Sequence, residues 1–120
     1  MHSDRAWTYI LADQRDGMLF TGATPDLVRR VAMHRDGIAS HFTRRHKVTR
    51  LVWYEPHASL TQASLRRDII RHCRRRWKLN LIDASNPEWL DLFDLLSLLP
   101  DIPHLPSTTP RQHPSCTATS

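Results

Sequence analysis

A chain of 120 residues, 40% hydrophobic and 24% charged, has enough apolar material for one small core and not for two. Its net charge of +5 makes a polyanion the first partner to consider. Cys73 and Cys116 are too few for a disulfide framework or a four-ligand zinc site, and no apolar run is long enough to cross a membrane; a cytoplasmic domain with no membrane partner is expected.

The chain opens with "WTYILA", rich in aromatic and β-branched residues, then "DQRDGM", whose Asp16-Gly17 pair signals a hairpin turn, then "LFTG". Two antiparallel strands are predicted. Thr24 then suits a helix N-cap, with Pro25 at the first helical position and Gly37 past the end. Leu27 and Val31 face the sheet in this reading, and Arg30 and His34, four apart, share a face. "HFTRRHK" reads as a basic loop. "RLVWYE" is a third strand, ended by Pro56.

From Ser59 a long helix is expected, with Ala63, Ile70, Cys73 and Trp77 on its apolar side and Arg66, Arg71, Arg74, Arg75, Arg76 and Lys78 around the rest. Asn86 and Pro87 suggest the cap and first turn of one more helix, striped by Trp89, Phe93 and Leu96. The expected fold is thus α/β in the α+β sense: a three-stranded antiparallel sheet flanked by about three helices over residues 7–97. Residues 98–120, rich in Pro, Ser and Thr and without hydrophobic period, are expected to be a disordered tail.

Charge is concentrated in one segment. Residues 29–78 contain 14 of the 17 Lys and Arg, against Asp36, Glu55 and Asp68. Such a stripe attracts phosphates by releasing their counterions. Arg29, Arg44, Arg45, Lys47, Arg71, Arg74, Arg75 and Lys78 are the candidate contacts to a nucleic-acid backbone, DNA being the expected partner. The tryptophans Trp7, Trp53, Trp77 and Trp89 fit core packing better than base stacking, and Glu55 reads as a strand-end surface residue.

Taken in order, "TYIL", "LFTGAT" with "DLVRRVAMH", "HFTRRH", "LVWYE", "RRWK" and "NPEW" resemble the GIY-YIG nuclease superfamily, in particular its small stand-alone members similar to the excinuclease C subunit domain. The likeness covers residues 7–96. It implies a three-stranded antiparallel sheet with flanking helices, a DNA endonuclease ancestry with repair as one setting, and Mg²⁺-dependent phosphodiester hydrolysis. It also implies a site of two strand tyrosines, an arginine and a histidine on the first helix, and a metal-binding glutamate on the long helix. A phenol orients the attacking water, the arginine stabilises transition-state charge, and the carboxylate holds the cation.

Carried onto this chain, the resemblance assigns Tyr9, Arg30 and His34 to catalytic positions, and Gly22 to the sharp exit from the second strand. Two positions depart. The second tyrosine falls on Phe20, and counting back from Trp77-Lys78 the glutamate falls on Arg67. A missing hydroxyl removes a general-base contribution on the order of 10²–10⁴-fold. A guanidinium about 4 Å from a divalent ion repels it by roughly 8 kcal/mol at an effective dielectric near 20.

Three functions follow as expectations. The first is a nucleic-acid phosphate binder with hydrolysis weakened or lost, a pseudoenzyme needing no cofactor. The second is a working endonuclease using Tyr9, Arg30, His34, Mg²⁺ and the neighbouring Asp68 as substitute metal ligand. The third is a basic protein-interaction module.

Overall fold

The computed structural model describes residues 5–98. Three strands, β1 (Ala6–Ala12), β2 (Leu19–Thr24) and β3 (Arg50–His57), form one antiparallel sheet in the order β2-β1-β3. The β1–β2 hairpin closes as its Asp16-Gly17 pair predicts. Asp16 takes the left-handed conformation (φ 58°), and Asp13 Oδ1 accepts from the Met18 N–H at 2.8 Å.

Alternation along β1 divides the molecule. Ile10 and Ala12 face a core with Val52, Trp53, Ile70, Leu81, Ile82 and Trp89. Tyr9 and Leu11 face the other way, into a second cluster with Leu27, Val31, Val48, Leu51 and Leu96. An irregularity between Ile10 and Leu11 shifts the β1–β3 register by one residue, so that Val52 and Trp53 of β3 enter the same core. Helices α1 (Leu27–Arg35) and α5 (Leu92–Leu98) contribute to the Tyr9 side, and α3 (Leu60–Arg71) and α4 (Arg75–Ser85) to the other; α2 (His41–His46) packs on α1.

Several boundaries differ from the sequence expectation, each for a local reason. Asp26, not Thr24, caps α1: its Oδ1 accepts from the Arg29 N–H at 3.2 Å, while the Thr24 hydroxyl accepts from the Asp26 N–H at 3.0 Å. The basic loop is a short helix, capped by Ser40, whose Oγ accepts from the Thr43 N–H at 3.4 Å. Pro56 does not end β3, because β3 is an edge strand and a missing N–H costs little there.

The long helix begins as expected: Ser59 Oγ accepts from the Gln62 N–H at 3.2 Å, and Gln62 Oε1 accepts from the Ala58 N–H at 3.3 Å. It then breaks at 72–74 into α3 and α4. The Cys73 N–H bonds the Ile70 carbonyl at 3.1 Å in a tightened last turn, and Arg75, beyond the break, donates to the carbonyls of the hairpin turn. Asn86 is a further correction. Instead of starting a helix it ends α4, and its side-chain amide donates to the carbonyls of Val52 (3.1 Å) and Leu90 (2.9 Å). Trp89 turns left-handed (φ 54°) as the chain reverses, and the helix starts only after Asp91, whose Oδ1 accepts from the Phe93 N–H at 3.1 Å. The sheet is as expected, and the helices flanking it number five among the described residues, where about three were expected. The tail expected from residue 98 onward lies outside the described residues, apart from Leu98 at the end of α5.

Candidate functional site

Tyr9 sits at the centre of the middle strand, opposite Gly22 of β2 and Tyr54 of β3. Its ring lies across Gly22 so closely that a Cβ there would come within 2.5 Å of the phenol oxygen. Gly22 is thus explained by the tyrosine passing over it, and not by a sharp exit, since β2 continues to Thr24.

From α1, the buried His34 reaches the phenol: Nε2 is 2.8 Å from the Tyr9 oxygen, and Nδ1 is 2.9 Å from Thr43 Oγ1 on α2. The hydrogen-bond network fixes the tautomer. Thr43 donates its hydroxyl proton to the Ser40 carbonyl (3.1 Å), so toward the imidazole it accepts. Nδ1 therefore carries the proton, Nε2 offers a lone pair, and Tyr9 O–H donates to it.

Burial keeps both partners neutral. The Tyr9 phenol is pushed up to about 12, with Arg30, Arg67 and Arg71 pulling the other way. His34 is pushed down to about 4, first by burial and then by the charge of Arg30. Arg30 stands one turn before His34 on α1, as the spacing predicts, and Arg67 and Arg71 stand one turn apart on α3. The structure thus brings together Tyr9, Arg30, His34 and Arg67, and adds Arg71. Phe20 joins them through its ring, with its centroid 5.0 Å from that of His34 and 6.3 Å from that of Tyr9.

The charges acting on the Tyr9 phenol are three cations. That donor set does not suit a hard divalent ion, which needs carboxylate or carbonyl oxygens. Asp68, the candidate substitute ligand, has its Oδ1 3.0 Å from Arg67 Nε and is half exposed. Among the described residues no three His, Cys, Asp or Glu come together as a metal site. Glu55 is no free surface acid either: its Oε1 accepts from Arg66 Nε at 3.0 Å and lies 3.1 Å from His57 Nε2, locking β3 to α3.

Of the other basic residues, Arg29, Arg44, Arg45, Lys47 and Arg74 are exposed. Arg44 and Lys47, with Arg35, line an open cleft of about 390 Å³ beside His34, between α1 and α2. Arg75 is given to the fold, donating to the carbonyls of Asp16 and Gly17 at 2.6 Å each across the hairpin turn. Lys78, half-buried, donates to the Arg71 carbonyl at 3.3 Å; burial, then Arg75 and Arg71, lower its pKa. Trp53 and Trp89 are fully buried and Trp7 and Trp77 partly so, packed on the cores as expected. Sequence reasoning missed Thr43 and Phe42. The signal was Ser40, an N-cap type three residues before Thr43.

A tyrosine–imidazole pair thus lies between the three-stranded sheet and its first helix, with arginines of α1 and α3 acting on the phenol. The family described as the GIY-YIG catalytic domain matches residues 5–80. The chain belongs to the GIY-YIG family, and so carries a domain of the nuclease type. It is similar to a UPF0213 protein of Clostridium perfringens, 31% identical over 80 residues that cover 67% of this chain and 85% of that one. A UPF0213 protein of Autographa californica nuclear polyhedrosis virus is 29% identical over 87 residues, 71% of this chain and 84% of that one. The solution NMR structure of a UPF0213 protein from Bacillus halodurans aligns with a TM-score of 0.46 and 28% identity, covering 76% of this chain and 96% of that one. Among the described residues no helix is long and apolar enough to cross a membrane.

Proposed function

We propose that this GIY-YIG domain binds nucleic-acid phosphates, DNA in the first place, and that it has lost metal-dependent hydrolysis. The observation that carries the reading is the cationic set around Tyr9: Arg67, at the position counted for the family's metal-binding glutamate, acts on the phenol together with Arg30 and Arg71. A guanidinium can grip a phosphate oxygen pair through its fork of N–H donors, and does so without a cation. Phe20 supports the same conclusion, since it retains the ring of a strand tyrosine and lacks the hydroxyl that would orient water.

The test is DNA binding in the presence of a chelator across a salt series. Affinity should fall steeply between about 50 and 200 mM salt, and Arg30→Gln should reduce the logarithmic salt slope by about one. A slope near zero would transfer the basic face to an acidic protein partner. The endonuclease reading through Asp68 makes the opposite demand: binding or cleavage that requires Mg²⁺ and disappears in Asp68→Asn.

A further inference from the structure

Phe20 carries no hydroxyl, but its ring sits in the middle of a row of aromatic side chains that reaches the surface. Its centroid is 5.0 Å from His34 on the inside and 6.3 Å from Phe42 on the outside, the two phenyl planes being near parallel at 25°. Phe42 in turn lies 4.7 Å from the ring of His46, one turn later on α2. The row begins at Tyr9, which is 2% exposed, and ends at Phe42, which is 38% exposed. The next residue, Thr43, anchors α2, being fully buried and hydrogen-bonded to His34.

Phe42 presents part of a phenyl ring to water on a helix that also carries exposed arginines. Arg45, exposed and three residues on in α2, shares the Phe42 side of the helix, and through Phe20 the Phe42 ring adjoins the imidazole on which Arg30 acts. The chemistry that uses both halves at once is a nucleotide: an anionic phosphate attached to a flat aromatic base. In an intact duplex the base faces are covered by their neighbours, so a ring of this kind is available only to an unpaired nucleotide.

We propose that Phe42, backed by Phe20 and His46, is a stacking platform for the base of an unpaired DNA nucleotide whose phosphate is held at Arg30, Arg67 and Arg71. The platform rests on the phosphate-binding function above and makes it selective for single-stranded or frayed DNA. Phe20 then has a role that needs no hydroxyl, as the inner support of the platform. Loss of the phenol and gain of a continuous apolar stack are two aspects of one side chain.

The experiment uses the full chain and a single-stranded oligonucleotide carrying 2-aminopurine, whose fluorescence is quenched when the base stacks on an aromatic ring. The unmodified protein should quench the probe and prefer it to the same sequence as a duplex. Phe42→Leu keeps an apolar side chain but removes the ring; it should lose the quenching and weaken single-strand binding by roughly tenfold, leaving the salt slope and the duplex affinity unchanged. Phe42→Trp should restore both. Equal quenching and affinity in Phe42→Leu and the unmodified protein would overturn the platform while leaving phosphate binding intact. Absence of salt-dependent binding to either form of DNA would overturn both proposals.

Discussion

Two regions of the molecule use arginine in opposite ways. At the corner where β3, α1 and α5 meet, the arginines end on protein partners: Arg35 donates to Asp91 Oδ2 at 2.7 Å and lies over the Phe93 ring, and Arg50 donates to the Trp89 carbonyl at 3.1 Å. Asp91 also accepts from the N–H groups of Leu51 and Phe93. Around Tyr9 the arginines gather with far less opposition, and of Arg30, Arg67 and Arg71 only Arg67 has a side-chain acceptor among the described residues, in Asp68. Cations matched by acceptors stabilise a corner of the fold. Cations collected around a neutral phenol raise the free energy of the free protein and lower it again when an anion arrives.

The contrast gives predictions of decreasing size. His34 sits on the Tyr9 side with its folded pKa depressed from 6.5 to about 4, so the unfolded chain takes up the proton first. Its neutral form is compatible with the fold above pH 6.5, and stability is lost as the pH falls toward 4, by on the order of 3 kcal/mol from this residue. Thermal melts across that range should show a steeper decline for the unmodified protein than for His34→Gln. At the corner, Asp91→Ala removes a helix cap and two further hydrogen bonds, and should cost about 2 kcal/mol in urea unfolding while DNA affinity stays the same. Gly22→Ala forces the buried Tyr9 ring aside and should cost a comparable amount, about 1–3 kcal/mol. Arg67→Gln should do the reverse of Asp91→Ala, lowering DNA affinity roughly tenfold with no measurable loss of stability. If both variants affected stability and affinity alike, the division between the two regions would fail.

How far the sequence could be read follows the same line between local and distant partners. The three strands, the hairpin turn and the shared face of Arg30 and His34 depend on alternation, turn chemistry and helical period, which a single sequence displays. The sheet was legible for that reason, whereas Tyr9, Arg30, His34 and Arg67 were singled out together only by the resemblance; in the structure Tyr9 bonds His34, and Arg30 and Arg67 act on its phenol. Helix α2 was not legible, because six residues have little periodicity and this helix is held by Thr43 bonding to His34 across to α1. Asn86 carries the chemistry of an N-cap, yet the Val52 carbonyl of β3, 34 positions earlier, claims its amide. Arg75 looked like a phosphate contact until the hairpin turn, 58 and 59 positions away in sequence, supplied its two acceptors. Glu55 and Arg66 likewise reveal themselves only as a pair.

Plasmid nicking in Mg²⁺ and in Mn²⁺ tests the central claim most directly, with the unmodified protein set beside the double variant Phe20→Tyr, Arg67→Glu. The account predicts that the unmodified protein binds the plasmid and leaves it supercoiled, and that nicked circles form only with the double variant. Metal-dependent nicking by the unmodified protein would contradict it.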